Sequence, residues 1–456
     1  MKPTLALRSF LLGSLFLSAA PAAFAATFTW DGGGADSNWS TAGNWTGAAP
    51  TTLANNDFIF GALASPFQTT ANQDVVGTNT NLASLSFSAA LLHSINITGL
   101  NFQFGTAAGR TGPVNNSDLT QTITAQSSVF SGVSFTGANG ALNVNELSFR
   151  RDTTPAGYAL ILNGAVGGTV TTQNITSGEA SIYALTKQDA GKWTIVSSAT
   201  YGGATTISGG TLEFQNSVAS SGIANAGALI FNNAGAVSYA NAITGAGFLT
   251  KQGAGTLTLG GTNTYTGATT VSAGTLLVNG SISTTILTTV ASGATIGGSG
   301  TVGALTVSSG GFINPGNSPG ILNSGNYTQA GLYTAEINGT TPGTQHDQIN
   351  VTGTVNITSG SLATMFSGSY SANDLIFILL NDSTDAITGT YTGLAQGAVA
   401  ATYGGFDWVI SYDANNTGVG TGTFNGGNDI ALRAIPEPSS ALLGAIGLLA
   451  LLRRRR

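Results

Sequence analysis

The stretch LTKQGAGTLTLGGTNTYTGATTVSAGTLLV (residues 249–278) repeats the stretch LTKQDAGKWTIVSSATYGGATTISGGTLEF (residues 185–214). The offset is 64 throughout, without a gap, and 17 of the 30 positions are identical. Self-similarity of this kind points first to stacked repeats, because each unit leaves an apolar surface that only a neighbouring unit can cover. A shorter beat runs inside each copy: an aliphatic residue, small residues around a glycine, then another apolar residue. It appears at 207–212, 271–276, 290–296, 307–313 and 357–362. Gly274, Gly293 and Gly310 follow one another at short, nearly even intervals. Three coils of about 21 residues each would account for the offset, a size that suits a parallel β-helix.

The fold expected is therefore all-β: a parallel β-helix, or β-solenoid, with short capping segments. Inward Leu, Ile and Val form ladders and Thr and Ser face outward. Coils stacked at about 4.8 Å make a rod roughly 60–90 Å long. An antiparallel sandwich is the competing fold, but it does not predict a gapless 64-residue repeat.

Composition agrees. Charged residues are 7 % and hydrophobic ones 42 % of the 456, and Gly numbers 65, about twice ordinary usage. Even with Pro added, at 11, the glycines stay below the share that marks low-complexity disorder. No Cys is present, which excludes disulfides, thiolate metal sites and Cys nucleophiles. The formal charge is −6; without the two terminal segments the body holds 7 basic and 18 acidic residues, a net of −11. Such a body repels nucleic acid and anionic lipid, so those partners are set aside.

Both ends have their own character. Residues 1–25 have the layout of a signal peptide: Lys2 and Arg8, an apolar stretch at 10–20, then Ala23 and Ala25 as the small residues before a cut at Ala26. At the other end Pro436-Glu437-Pro438 precedes a 12-residue apolar run, 441–452, and then Arg453, Arg454, Arg455 and Arg456. Twelve helical residues span about 18 Å, short of a roughly 30 Å hydrocarbon core, so transient membrane insertion is expected rather than a stable span. The arginines hold that end on the cytoplasmic side.

This tripartite tail resembles the PEP-CTERM sorting signal. The resemblance implies handling by an exosortase-type processing enzyme, in a Gram-negative-type bacterium that makes exopolysaccharide. The repeat, with its core GAGTLTLGGTNTYTGATTVSAGTLLVNG at 253–280, resembles the autotransporter-associated β-strand repeat. So do TWDGGGADSNWSTAGNW (29–45), INPGNSPGIL (313–322), DQINVTGTVNITSGSL (347–362) and GGNDIAL (426–432), less specifically. That likeness implies a right-handed β-helix at the cell surface, outer membrane or extracellular matrix. Only some 70 residues separate Leu362 from the tail, too few for the membrane barrel of an autotransporter. Another system is expected to export the chain. The segments are read as signal peptide 1–25, N-terminal cap 26–70, β-helix body 71–362, C-terminal β segment 363–433 and sorting tail 434–456.

A convergent catalytic constellation is not legible. His93 and His346 are the sole histidines and are expected in surface turns; His346 and Asp347, as strand neighbours, should face opposite sides. HExxH and Walker patterns do not occur. A β-helical polysaccharide-degrading enzyme would need clustered carboxylates, for which Asp382 with Asp385, or Arg150 and Arg151 with Asp152, are the candidates. Acidic residues in such loops are more often turn formers. Asp407, Asp413 and Asp429 are the candidates for calcium, yet no DxDxDG loop accompanies them, and no metal or cofactor is expected. Trp30, Trp39 and Trp45 read as a plug over the end of the solenoid, with stacking on a glycan as the alternative. Tyr201 and Tyr265 are expected in turns, stacked on neighbouring coils. The functional expectation is a non-enzymatic, exported structural or adhesin-like protein associated with exopolysaccharide or another surface glycan. The alternatives are the polysaccharide-degrading enzyme and a glycan-binding protein.

Overall fold

The computed structural model describes residues 25–62, 70–75, 81–104, 111–129, 133–145, 147–149, 158–171, 183–382, 384–418 and 421–437. Its regular structure is β throughout, apart from one 3₁₀ turn at Ala42–Asn44. The chain visits three places in turn, and as far as Leu375–Asn381 the strands pair in parallel with the strand one coil earlier. The first face is a ten-stranded sheet from Thr27–Trp30 to Ile243–Thr244. From Ser281–Ile282 onward a nine-stranded sheet takes over its place in the cycle. The second face is one sheet of fourteen strands from Thr70–Gln73 to Val355–Asn356. At strand spacing those fourteen make a stack about 60 Å long. The third face holds a three-stranded sheet starting at Phe102–Phe104 and a seven-stranded one running from Val237–Tyr239 to Ser361–Phe366. The parallel β-helix is thus the fold.

Strands alternate buried and half-exposed residues because successive side chains point to opposite faces. Leu212, Leu229 and Leu249 lie in register as one inward ladder of the second face. Coils there are shorter than expected and unequal in length, as the partners Leu212↔Leu229, Leu229↔Leu249 and Leu249↔Thr269 show. The shorter coil changes the meaning of the repeat. Starting from Leu185, three complete coils lead through Thr205 and Ile223 to Ile243, short of Leu249. The chain turns one corner more before it reaches Leu249, in the second face. The two copies are therefore one face out of phase. Thr211–Phe214 belongs to the second face and its counterpart Thr275–Val278 to the third.

Not every Thr faces outward. Thr205, Thr269 and Thr288 are fully buried. Tyr201 and Tyr265 lie outside the strands, as expected, but their rings fill the interior and each hydroxyl needs a partner there. Tyr201 Oη lies 2.5 Å from Thr205 Oγ1, and Tyr265 Oη lies 2.6 Å from Thr269 Oγ1.

The stack begins earlier than the expected boundary of the body. Thr27–Trp30 and Asp57–Phe60 already pair in parallel, so the segment that holds them supplies coils as well as a lid. At the far end parallel pairing stops. Leu375–Asn381 pairs in parallel with Gln348–Val351 on one side and antiparallel with Asp429–Pro436 on the other. Asp429–Pro436 in turn pairs antiparallel with Phe406–Gly418, whose other neighbour is Val399–Tyr403.

Candidate functional site

The antiparallel sheet at the C-terminal end positions the sorting motif. Asp429–Pro436 is held on both sides, and its final pair is Phe406↔Pro436. Beyond it the Glu437 N–H donates to Gly405 O at 3.2 Å. Pro436 has no N–H to contribute and ends the ladder without cost, as suits a strand terminus. Both Pro436 and Glu437 are exposed. The first two motif residues therefore continue a paired strand and leave no slack between the rod and the tail. Pro438, the apolar run and Arg453, Arg454, Arg455 and Arg456 lie outside the described residues, as do the signal segment and Ala23. Ala25 and Ala26 are exposed. Among the described residues no helix is long and apolar enough to cross a membrane.

Comparison with protein families places two descriptions on the chain. Passenger-associated-transport-repeat matches residues 185–214 and 249–278, and PEP-CTERM protein-sorting motif matches residues 434–456. The chain carries two transport repeats and a PEP-CTERM tail. That tail makes it an exported protein of the Gram-negative type, addressed to an exosortase-type processing system. No curated protein matches the chain.

Inside the repeats lies a pair of residues that sequence reasoning missed. Lys187 and Lys251, equivalent across the 64-residue offset, are both fully buried. Neither forms an ion pair with a carboxylate among the described residues. The Lys251 ammonium donates to the carbonyls of Gln252 (2.5 Å), Gly253 (2.9 Å) and Ala273 (3.4 Å). Lys187 does the same with Gln188, Asp189 and Gly209. Each lysine thus ties its own corner to the corner of the next coil, collecting carbonyls that a tight turn would leave without donors. Burial pushes the Lys251 amine down to about 8. Burial also lowers Lys187, and the nearby Asp189 opposes the shift. The signal available was the Lys-Gln pair recurring at the same place in both copies, against the habit of assigning Lys to solvent.

The Trp trio is packed away. Trp30, Trp39 and Trp45 are 0, 0 and 3 % exposed. Trp45 meets the other two edge-on at centroid distances of 5.1 and 5.3 Å, and its indole N–H donates to Trp39 O at 2.7 Å. No indole face is open to a sugar ring. The other end is closed in the same way by Trp408, whose ring lies 4.7 Å from Phe366 and 4.9 Å from Tyr370.

His346 corrects the surface-turn expectation, being 1 % exposed. It precedes the strand Gln348–Val351 and sits in bridges to Ile337 and Pro342, so strand alternation does not govern it. Asp347 is buried beside it for the same reason. Its carboxylate accepts from Gly320 N (2.8 Å) and Glu336 N (3.0 Å), pinning the 316–320 loop to the third face. Burial pushes His346 down to about 4 and Asp347 up to about 6. His93 is half-buried.

The candidate carboxylates that the structure describes lie in the C-terminal sheet and its loops. Asp382 and Asp385 are joined to the fold through their backbone carbonyls, which accept from Asn428 (3.1 and 3.0 Å). Asp407 accepts from Thr402, Asp413 from Gln396 and Ser411, and buried Asp429 from the amides of Asn381 and Asn416. Each closes its own turn or strand end. Arg150, Arg151 and Asp152 lie outside the described residues. Among the described residues no group of three or more His, Asp or Glu is arranged to hold a metal ion.

Proposed function

We propose that the protein is a non-enzymatic rod that is exported, joined to the cell surface or its extracellular matrix, and held there in contact with exopolysaccharide. The observation that carries this reading is the direct passage from the antiparallel sheet that ends the coils into the sorting motif, with Pro436 still paired to Phe406. A rod so built is a spacer: its length is set by the number of coils and its attachment by the tail. The sparsely charged Thr- and Asn-rich exterior suits a hydrated polysaccharide layer. Fractionation of cells making the intact chain or a chain lacking residues 436–456 tests the role. The intact chain should remain with the cell surface and matrix, and the shortened one should appear in the medium. Equal partition of the two would remove the attachment role.

One observation favours the enzymatic alternative. A groove of about 430 Å³ on the third face is lined by Glu336 and Asp347 together with Asn314 and Asn317. Glu336 accepts from the Ser318 hydroxyl on one oxygen, and Asp347 accepts one backbone amide on each of its oxygens. Assaying the purified protein on acidic and neutral polysaccharides decides the matter. Turnover lost on E336Q would establish the enzyme.

A further inference from the structure

We propose that a cleft in the C-terminal sheet binds a carboxylate-bearing sugar, a uronic acid unit, through Arg433. Four described residues carry a positive charge, and three have a clear structural task. Lys187 and Lys251 collect corner carbonyls, and Lys192 pairs with Glu213. The Arg433 side chain has no hydrogen bond or ion pair among the described residues. Its guanidinium carbon lies 4.2 Å over the centroid of Phe424, and its Nε is buried without an acceptor. Stacking on a ring fixes the plane of a guanidinium while leaving its far edge free. With Nε sealed, the two terminal nitrogens are the edge that a ligand can meet, and a planar carboxylate matches them end-on.

The surroundings narrow the ligand. The cleft has a volume of about 540 Å³, and Thr340, Asn373, Asp374, Thr421 and Phe424 line it with Arg433. Asn373 holds a left-handed backbone (φ 72°), and its amide N–H donates to Ala434 O at 2.8 Å, which fixes it to the arginine's own strand. Asp374 uses one oxygen to accept from Ser371 N at 2.7 Å, so the other is available to a hydroxyl donor. Asn373, Thr340 and Thr421 add groups that hydrogen-bond hydroxyls, and Phe424 offers part of an apolar face. One cation beside one anion disfavours a dianion such as phosphate and suits a ligand with a single negative charge and several hydroxyls. The choice of a saccharide as carrier of the carboxylate rests on the role proposed above; the carboxylate itself follows from Arg433.

The test is titration of the purified exported protein with sodium glucuronate, glucose and inorganic phosphate, followed by calorimetry or ligand-observed NMR. Glucuronate should bind, and glucose and phosphate should bind at least tenfold more weakly. R433Q should lower glucuronate binding by about 10- to 100-fold, the worth of one charge-assisted contact, with an unchanged far-UV spectrum and melting temperature. D374N should raise phosphate binding toward that of glucuronate. Unchanged glucuronate binding by R433Q, absence of binding by the parent protein, or a preference for phosphate would each overturn the site. A short peptide whose C-terminal carboxylate outcompetes glucuronate would overturn the saccharide. Matrix retention without glucuronate binding would remove this site and leave the structural role standing. Glucuronate binding with no dependence of fractionation on the tail would do the reverse.

Discussion

Residues 185–214 and 249–278 are near-copies in sequence, yet they occupy different faces of the rod. Corresponding strands sit on the first and second faces in one copy and on the second and third in the other. The buried lysine, the tyrosine–threonine pair and the left-handed glycine keep their local partners in both. The repeat therefore specifies four strands on two neighbouring faces with the corners between them, and it is indifferent to which side of the rod they build. A solenoid whose interior accepts the same Leu, Ile and Val ladders on every side allows this, since each face demands the same alternation.

Three pairs of substitutions and one single replacement probe that equivalence. The largest effect belongs to Gly210 and Gly274, which have φ of 61° and 64°. A Cβ on Gly274 would lie 2.4 Å from Gly255 O, and one on Gly210 would lie 2.4 Å from Asp189 O. Valine at either position should cost about 4 kcal/mol, combining the strained backbone with loss of close stacking. Chemical denaturation should show equal losses, and a much smaller loss at one site would break the equivalence.

Next come K187M and K251M, each of which strips a donor from three carbonyls and should cost about 2–3 kcal/mol. The buried Lys251 ammonium also sets a pH dependence. Its folded value, about 8, lies below the unfolded 10.5, so its contribution is present above the unfolded value and is lost as pH falls through about 8. Stability should therefore rise between pH 8 and 10 in the parent protein, and K251M should flatten the rise. K187M should flatten it less, because Asp189 opposes the shift at Lys187.

Smaller again are Y201F and Y265F. Thr205 keeps a second partner, Ser220 Oγ at 2.9 Å, whereas the Thr269 hydroxyl is bonded to Tyr265. Y265F should therefore cost about 1 kcal/mol and Y201F about half that, measured by thermal melts. The smallest effect is expected where the copies differ. Lys192 pairs with Glu213 in the first copy, and Thr256 and Leu277 stand at those places in the second. Lys192 is half-exposed, and Glu213 also accepts from Gln215 and Asn232. K192T should cost no more than about 0.5 kcal/mol.

Much of this was legible beforehand, and the gaps have physical causes. The repeat, the glycine beat and the tail pointed to a parallel stack with a sorting signal. The phase between copies was not legible, because no residue marks a face and only the length of chain at each corner does. Trp30, Trp39 and Trp45 could be placed together, but whether they closed the end or faced a sugar depended on rings supplied from afar by Phe58 and Phe102. His346 was misread because strand alternation was extended past the strand's start. Arg433 gave no signal, since its isolation is a property of neighbours that are distant in sequence.

The strand Asp429–Pro436 lies between two partners in the C-terminal sheet, although it follows every other described strand in the chain. A chain exported from its N-terminus must deliver the whole rod before this central position can be filled. Leu375–Asn381 and Phe406–Gly418 each wait with an open edge until it arrives. Completion of that end of the molecule therefore coincides with arrival of the sorting motif, and strand order acts as a clock that links finished folding to the moment of hand-over.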